Sequence, residues 1–175
     1  ALAQEFRTLA AMRHPNIISV IDYGFDADGV PYFTMEYLEN AQSLLQAGRE
    51  RSFADKVDLL VQILQALTYL HRHNLIHRDL KPGNVLVTAE KTKVLDFGLA
   101  VARDYENPSQ DKVVGTLAYI APEVLQGASV SAASDLYAVG VMAYELFAGK
   151  YPFDINDMTA LMQDIVTTPP PVETL

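Results

Sequence analysis

Cysteine is absent from all 175 residues, which excludes a disulfide scaffold and any thiolate metal site and suits a reducing compartment. Basic side chains are scarce. Thirteen Lys and Arg stand against 22 Asp and Glu, for a formal charge of −9 and a pI near 4.8. That balance argues against nucleic acid or an anionic membrane surface as the main partner. Long apolar runs are missing as well: the longest, around Leu136 to Tyr144, falls far short of the ~18–20 residues that span a bilayer. No signal-peptide pattern opens the sequence, and no internal repeat runs through it. What is present is half hydrophobic, enough for a core, and the length fits one domain of ~100–200 residues. A soluble chain of cytoplasmic type is the expectation.

Residues Ala1 to Met12 read as a helix, with Leu2, Phe6, Leu9 and Met12 at helical spacing, stopped by Pro15. Its start carries no capping Ser, Thr, Asp or Asn. Two β-rich runs follow, Ile17 to Phe25 and Tyr32 to Tyr37, joined by the turn-forming Asp26-Ala27-Asp28-Gly29; the pattern predicts a hairpin. A hairpin and one uncapped helix are marginal alone, so this part reads as the remainder of a larger sheet.

Ser52 with Asp55 predicts a capping box opening a long amphipathic helix to near His73, with Val57, Leu60, Val61, Leu64 and Leu67 as its apolar stripe. Two short strands are expected, Asn84 to Val87 and Lys93 to Leu95, separated by a turn at Ala89-Glu90. Residues Asp96 to Glu123 lack sustained periodicity and read as a long loop of the kind that is usually functional or disordered. Ala132 to Ala148 is apolar nearly all round, which predicts a buried central helix. A shorter helix over Asn156 to Val166 follows, and Pro169-Pro170-Pro171 is read as the end of ordered structure.

The chemistry concentrates in His77-Arg78-Asp79-Leu80-Lys81-Pro82-Gly83-Asn84, which resembles the H-R-D-x-x-x-x-N catalytic loop of protein kinases. Twelve residues past Asn84 stands Asp96-Phe97-Gly98, similar to the metal-binding D-F-G, and Ala121-Pro122-Glu123 is similar to A-P-E. Each tripeptide alone is weak, because a solvated turn or an ordinary strand end would look the same. Three in the right order, with 28 residues from Asp96 to Glu123, are specific. The chain is identified as a member of the eukaryotic-type protein kinase family.

That resemblance implies an α+β, bilobal fold: a partial small lobe (1–36, helix plus β-hairpin), then hinge and most of the mainly helical large lobe (37–175). It implies a serine/threonine kinase that moves the γ-phosphate of ATP to a protein or peptide hydroxyl with Mg²⁺. Phosphoryl transfer is mainly positioning and charge neutralisation, and the residue types suit it. By resemblance Asp79 receives or orients the acceptor proton, and Lys81 places positive charge on the transferring group. Asn84 and Asp96 supply the oxygen ligands that a hard cation takes. Lys81, with Gly115-Thr116 before Tyr119, is similar to the serine/threonine branch.

Supporting positions follow the same likeness. Met35-Glu36-Tyr37-Leu38 resembles the gatekeeper and hinge, with backbone groups at Glu36 and Leu38 meeting adenine and Leu86 forming its floor; plain core packing accounts equally for Met35 and Leu86. Glu5 falls where the family's αC glutamate pairs a lysine, although a helical Glu is more often a solvated charge. Asp135 resembles the aspartate that braces the catalytic loop, the generic alternative being a helix N-terminal carboxylate. Arg78 is a potential clamp for a phosphorylated loop, or a structural ion pair. Thr116 resembles the threonine that contacts the catalytic Asp and Lys. Glu123 normally pairs an arginine further along. Ser109 is the candidate phosphosite for switching, against a solvated loop serine.

The sequence also departs from the family. It has neither the Gly-rich G-x-G-x-x-G loop nor the V-A-I-K lysine, nor the last large-lobe helices, so a central section of a kinase domain flanked by further domains is expected. Alone, such a section would bind ATP poorly. Two other functions compete. A pseudokinase or scaffolding module would share the fold, though Asp79, Asn84 and Asp96 are intact. A small-molecule phosphotransferase would share H-x-D-x-x-x-x-N but not the D-F-G and the Gly115-to-Glu123 segment. The charge is uneven: residues 124–175 carry only Lys150 against six acids, which suggests basic acceptor peptides.

Overall fold

The computed structural model describes residues 12–89, 91–95 and 117–172. It has an α+β architecture of two small antiparallel sheets and five helices among the described residues. Strands β1 (Val20–Phe25) and β2 (Pro31–Met35) form the expected hairpin, in register Tyr23 to Phe33 and Gly24 to Tyr32. Its turn closes because the Asp26 carboxylate accepts the amides of Asp28 and Val30 at 2.9 Å each, while Gly29 takes φ +80°, a conformation that suits a residue without Cβ.

The second sheet has the order β3 (Gln42–Ser43), β4 (Val85–Val87), β5 (Thr92–Val94). Strands β4 and β5 match the expected pair, whereas β3 was not expected, its two residues being too few to show alternation. Nor was the one-turn helix α1 (Leu44–Gly48) expected. The segment before β1 is stitched to β5: the Ile18 amide donates to Val94 O at 3.0 Å, and the Val94 amide to Asn16 O at 2.9 Å.

Helix α2 (Phe53–Arg72) begins at the expected box: Ser52 Oγ accepts from the Asp55 amide at 3.2 Å, and the Ser52 amide donates to Asp55 Oδ2 at 3.3 Å. Its buried face corrects the expected stripe. Leu59, Ile63, Ala66, Leu67 and Leu70 are the buried residues, whereas Val57, Val61 and Leu64 are each more than a third exposed. The helix carries two apolar stripes, and only the partner helix decides which one is covered.

That partner is α4 (Ala132–Ala148), which contributes Ala138, Val139, Met142 and Leu146 to the same core. Each fully buried Leu or Ile there contributes about 1.5–3 kcal/mol by leaving water. Close approach of α1 depends on Gly48, since a Cβ there would overlap the Leu146 side chain. Gly149 ends α4 at φ +69°, its amide donating to Glu145 O at 2.9 Å.

Three expectations near the C-terminal half need correction. Glu123 lies in a helical turn, α3 (Pro122–Leu125), rather than in a loop, with Pro122 at a first-turn position where its missing N–H costs nothing. Helix α5 (Met158–Thr167) starts two residues later than the expected Asn156, because Asp157 caps it, accepting from the amides of Thr159 and Ala160. Order also continues past the prolines: the Val172 amide donates to Pro170 O at 2.8 Å. The expected helix over 1–12 lies, but for Met12, outside the described residues.

Candidate active site

The chain from the end of α2 to β4 packs inward at His77, Leu80, Pro82 and Asn84, all buried, while Arg78 and Gly83 face solvent. Arg78 adopts φ +73°, a left-handed conformation that costs a non-glycine residue roughly 1–3 kcal/mol and persists only where its surroundings over-determine it.

Those surroundings centre on Asp135, in the first turn of α4 and 2 % exposed. Its Oδ1 accepts from the Arg78 amide at 3.1 Å and its Oδ2 from the His77 amide at 2.9 Å. His71 Nε2 adds a third contact to Oδ2 at 2.8 Å. A buried carboxylate is tolerated when its lone pairs are filled in this way. The Asp135 brace therefore spans α2, α4 and the loop between α2 and β4.

Asp79 follows directly. Lys81 Nζ lies 3.0 Å from Asp79 Oδ1 and 2.9 Å from Oδ2. Asn84 Nδ2 donates to Asp79 Oδ2 at 3.0 Å and to its backbone oxygen at 2.7 Å. With the Asn84 amide nitrogen turned toward Asp79, its side-chain oxygen is left as an acceptor for a cation. His77 supports the same loop. Its Nε2 meets Leu95 O at 2.7 Å, which requires a proton there, so Nδ1 accepts from the Asp79 amide at 3.4 Å. A cavity of about 100 Å³ opens beside Arg78 and Asp79, walled by Tyr119, Ile120, Val124 and Ser134.

Asp79, Lys81 and Asn84 are thus brought together, and Arg78 and Asp135 meet them through the backbone. Met35 and Leu38 pack against the core and Leu86 lies mid-strand in β4, half-buried. Glu123 is half-buried in α3. Asp96, Glu5, Thr116 and Ser109 lie outside the described residues. Among the described residues no group of three His, Cys, Asp or Glu side chains is arranged to hold a metal ion.

At the expected hinge the Glu36 side chain is engaged as well as its backbone. Glu36 Oε1 accepts from the Ser19 amide at 2.8 Å and from Lys93 Nζ at 2.7 Å. Lys93, buried on β5, also donates to Ile17 O at 3.2 Å. Burial works to raise the Glu36 pKa, but the Lys93 and Ser19 hydrogen bonds outweigh it and the net displacement is downward. The Glu36 amide donates to Ser19 O at 2.9 Å. Sequence reasoning missed His71 and Lys93. The only signals for them were a histidine in the last turn of a helix and a lysine inside a strand.

The Protein kinase domain family matches residues 1–172. This chain belongs to that family. Its kinase domain is 41% identical to the serine/threonine-protein kinase PknA of Mycobacterium tuberculosis over 96% of this chain and 41% of that protein. It is 34% identical to the probable serine/threonine-protein kinase PknB of Bifidobacterium longum, over 95% of this chain and 27% of that protein. A PknB of Lactococcus lactis is similar at 33% identity, over 90% and 26%. The chain therefore spans less than half the length of these relatives. Among the described residues no helix is long and apolar enough to cross a membrane.

Proposed function

We propose that this domain is the catalytic core of a protein serine/threonine kinase that transfers the γ-phosphate of ATP to a Ser or Thr hydroxyl of a protein substrate. The observation that carries the reading is the Asp79 carboxylate held between Lys81 and Asn84. Asp79 accepts a hydrogen bond from the acceptor hydroxyl and takes its proton as the O–P bond forms, while the bond to the ADP leaving group breaks. Lys81, already against Asp79, lends positive charge to the transferring phosphoryl oxygens.

Asn84 through its side-chain oxygen, together with Asp96, would hold Mg²⁺, which supplies charge neutralisation on the phosphates. The Glu36 carbonyl and the Leu38 backbone face the adenine edge, with Met35 behind and Leu86 beneath. On this reading residues 1–36 belong to the small lobe and 37–175 to hinge and large lobe, and Glu5 would pair a family lysine that this sequence does not contain. Glu123 would pair an arginine further along the full protein, Thr116 would select the hydroxyl acceptor, and a phosphorylated Ser109 would pair with Arg78. The acidic stretch 124–175 favours basic acceptor peptides. The absence of cysteine suits cytoplasmic signalling work.

The test is radiolabelled ATP transfer by the full-length protein with and without Mg²⁺. Transfer lost about 10²–10⁴-fold in Asp79→Asn, with the melting temperature retained, supports the reading; equal transfer by Asp79→Asn overturns it.

A further inference from the structure

We propose that Ser52 is a phosphorylation site of this protein and that a second copy of the chain delivers the phosphoryl group. For its chemistry this rests on the kinase reading above, whose substrate class it narrows.

Ser52 precedes helix α2 in an extended conformation, φ −63° and ψ 163°. Its side chain is exposed, and Phe53 directly after it is 74 % exposed. That ring only leans on Phe147, with 5.0 Å between centroids, and so forgoes most of the free energy its burial would supply. Arg49 and Arg51 stand three residues and one residue before Ser52, with Glu50 between them. Neither guanidinium makes an ion pair among the described residues. The exposed hydroxyl is thus preceded by two cations against one acid and followed by an aromatic ring.

Both features find a complement at the site. The cavity beside Asp79 is walled by Leu80, Ile120, Val124, Val130 and Ala138, an apolar lining that suits an aromatic or aliphatic side chain. Consecutive Cα atoms lie about 3.8 Å apart, so an acceptor hydroxyl at Asp79 carries the side chain after it to that cavity. Residues 124–175, with Lys150 against six acids, supply charge opposite to the two arginines.

The length of α2 decides which copy acts. Its 20 residues extend about 30 Å at the ordinary helical rise, with Ser52 before one end and the Asp79 loop past the other. Bringing the two together within one chain would pull Leu59, Ile63, Leu67 and Leu70 out of the core. Entry into a second copy asks far less. No residue of α2 before Leu59 is buried, so its first turn opens for the loss of the Ser52–Asp55 capping box and the Phe53–Phe147 contact. In the transfer, Ser52 Oγ forms the new O–P bond while the bond from the γ-phosphorus to the ADP oxygen breaks. The hydroxyl proton passes to the Asp79 carboxylate of the second copy, and ADP leaves.

The experiment gives isotopically heavy full-length Asp79→Asn as acceptor to light full-length wild type, with Mg²⁺ and ATP, and maps phosphate by mass spectrometry. Myelin basic protein is the parallel acceptor. Expected are phosphate on Ser52 of the heavy chain and an initial rate that doubles when wild type is doubled. Arg49→Ala with Arg51→Ala in the heavy chain should lower Ser52 labelling about tenfold, and Phe53→Ala should lower it as well. Transfer to myelin basic protein with Ser52 of both chains unmodified overturns the proposal and leaves the kinase reading standing. Phosphate on Ser52 of the light chain alone, formed at a rate per molecule independent of protein concentration, overturns delivery by a second copy. Transfer to neither acceptor overturns both readings.

Discussion

Lys93 Nζ lies 2.7 Å from Glu36 Oε1, joining a strand of the second sheet to the residue that follows the hairpin. Lys93 also spends a hydrogen bond on Ile17 O, so one ammonium group ties together three segments distant in sequence. Removing one partner of such a pair leaves the other desolvated, which costs more than removing both. Glu36→Gln is expected to destabilise by about 1–3 kcal/mol, and Lys93→Met in the same chain to recover part of that loss. Urea denaturation of the two single variants and the double variant checks it; strict additivity would show that the pair is uncoupled.

The same pair predicts an acid limb. The folded-state pKa of Glu36 is depressed, so its contribution is present above the unfolded glutamate value near ~4.3 and is lost as pH falls through the folded value. The urea midpoint should drop on acidification through that window, and Glu36→Gln should flatten the drop.

At the alkaline end, burial and then the Glu145 hydrogen bond, 2.5 Å from Tyr119 Oη, push the Tyr119 pKa up. Burial, with Tyr137 and Glu145 nearby, does the same for Tyr151, whose hydroxyl donates to Ala118 O. Both folded values exceed the unfolded one, so the associated stability is intact below about pH 10 and declines above it. Denaturant midpoints measured from about pH 8 to 11 should fall. Tyr119→Phe should make that fall shallower; an equally steep alkaline limb would remove the assignment.

Arg78 gives a prediction about backbone alone. Its side chain is exposed and its φ is +73°, so Arg78→Gly should leave stability within about 0.5 kcal/mol of wild type, as surface changes usually do. Arg78→Val should cost about 1–3 kcal/mol, because a β-branched residue fits that conformation worst. Comparable melting curves for the two variants would contradict this.

Asn84 Nδ2 holds the Asp79 carboxylate at 3.0 Å, and on the proposed reading its side-chain oxygen would take the cation. Asn84→Ala removes both, and should raise the Mg²⁺ concentration for half-maximal transfer while lowering kcat about 10–100-fold. A Mg²⁺ titration of the full-length protein reads both; an unchanged midpoint would separate Asn84 from the metal.

Much of this site is legible along the chain because its parts are close in sequence. Asp79, Lys81 and Asn84 lie within six residues, so one loop brings them together and the motif that names the reaction is a contiguous string. The capping box at Ser52 and the helix over 132–148 were readable for the same reason: capping and periodicity act over a few residues.

Other features depend on which surfaces meet. Helix α2 offers two apolar stripes, and its own residues do not say that Leu59, Ile63 and Leu67 are covered while Val57, Val61 and Leu64 are not. A strand as short as β3 exists only because β4 lies beside it. His71 and Asp135 are 64 residues apart, and Glu36 and Lys93 are 57 apart. A hydrogen bond needs donor and acceptor within about 3 Å, and no local pattern in the chain records a meeting at that range. The scarcity of basic charge and the absence of cysteine thus narrowed the class of protein, and the residues from His77 to Asn84 pointed to its family. Packing of α2 against α4 chose the donors that hold the catalytic loop in place, since core burial sets those distances.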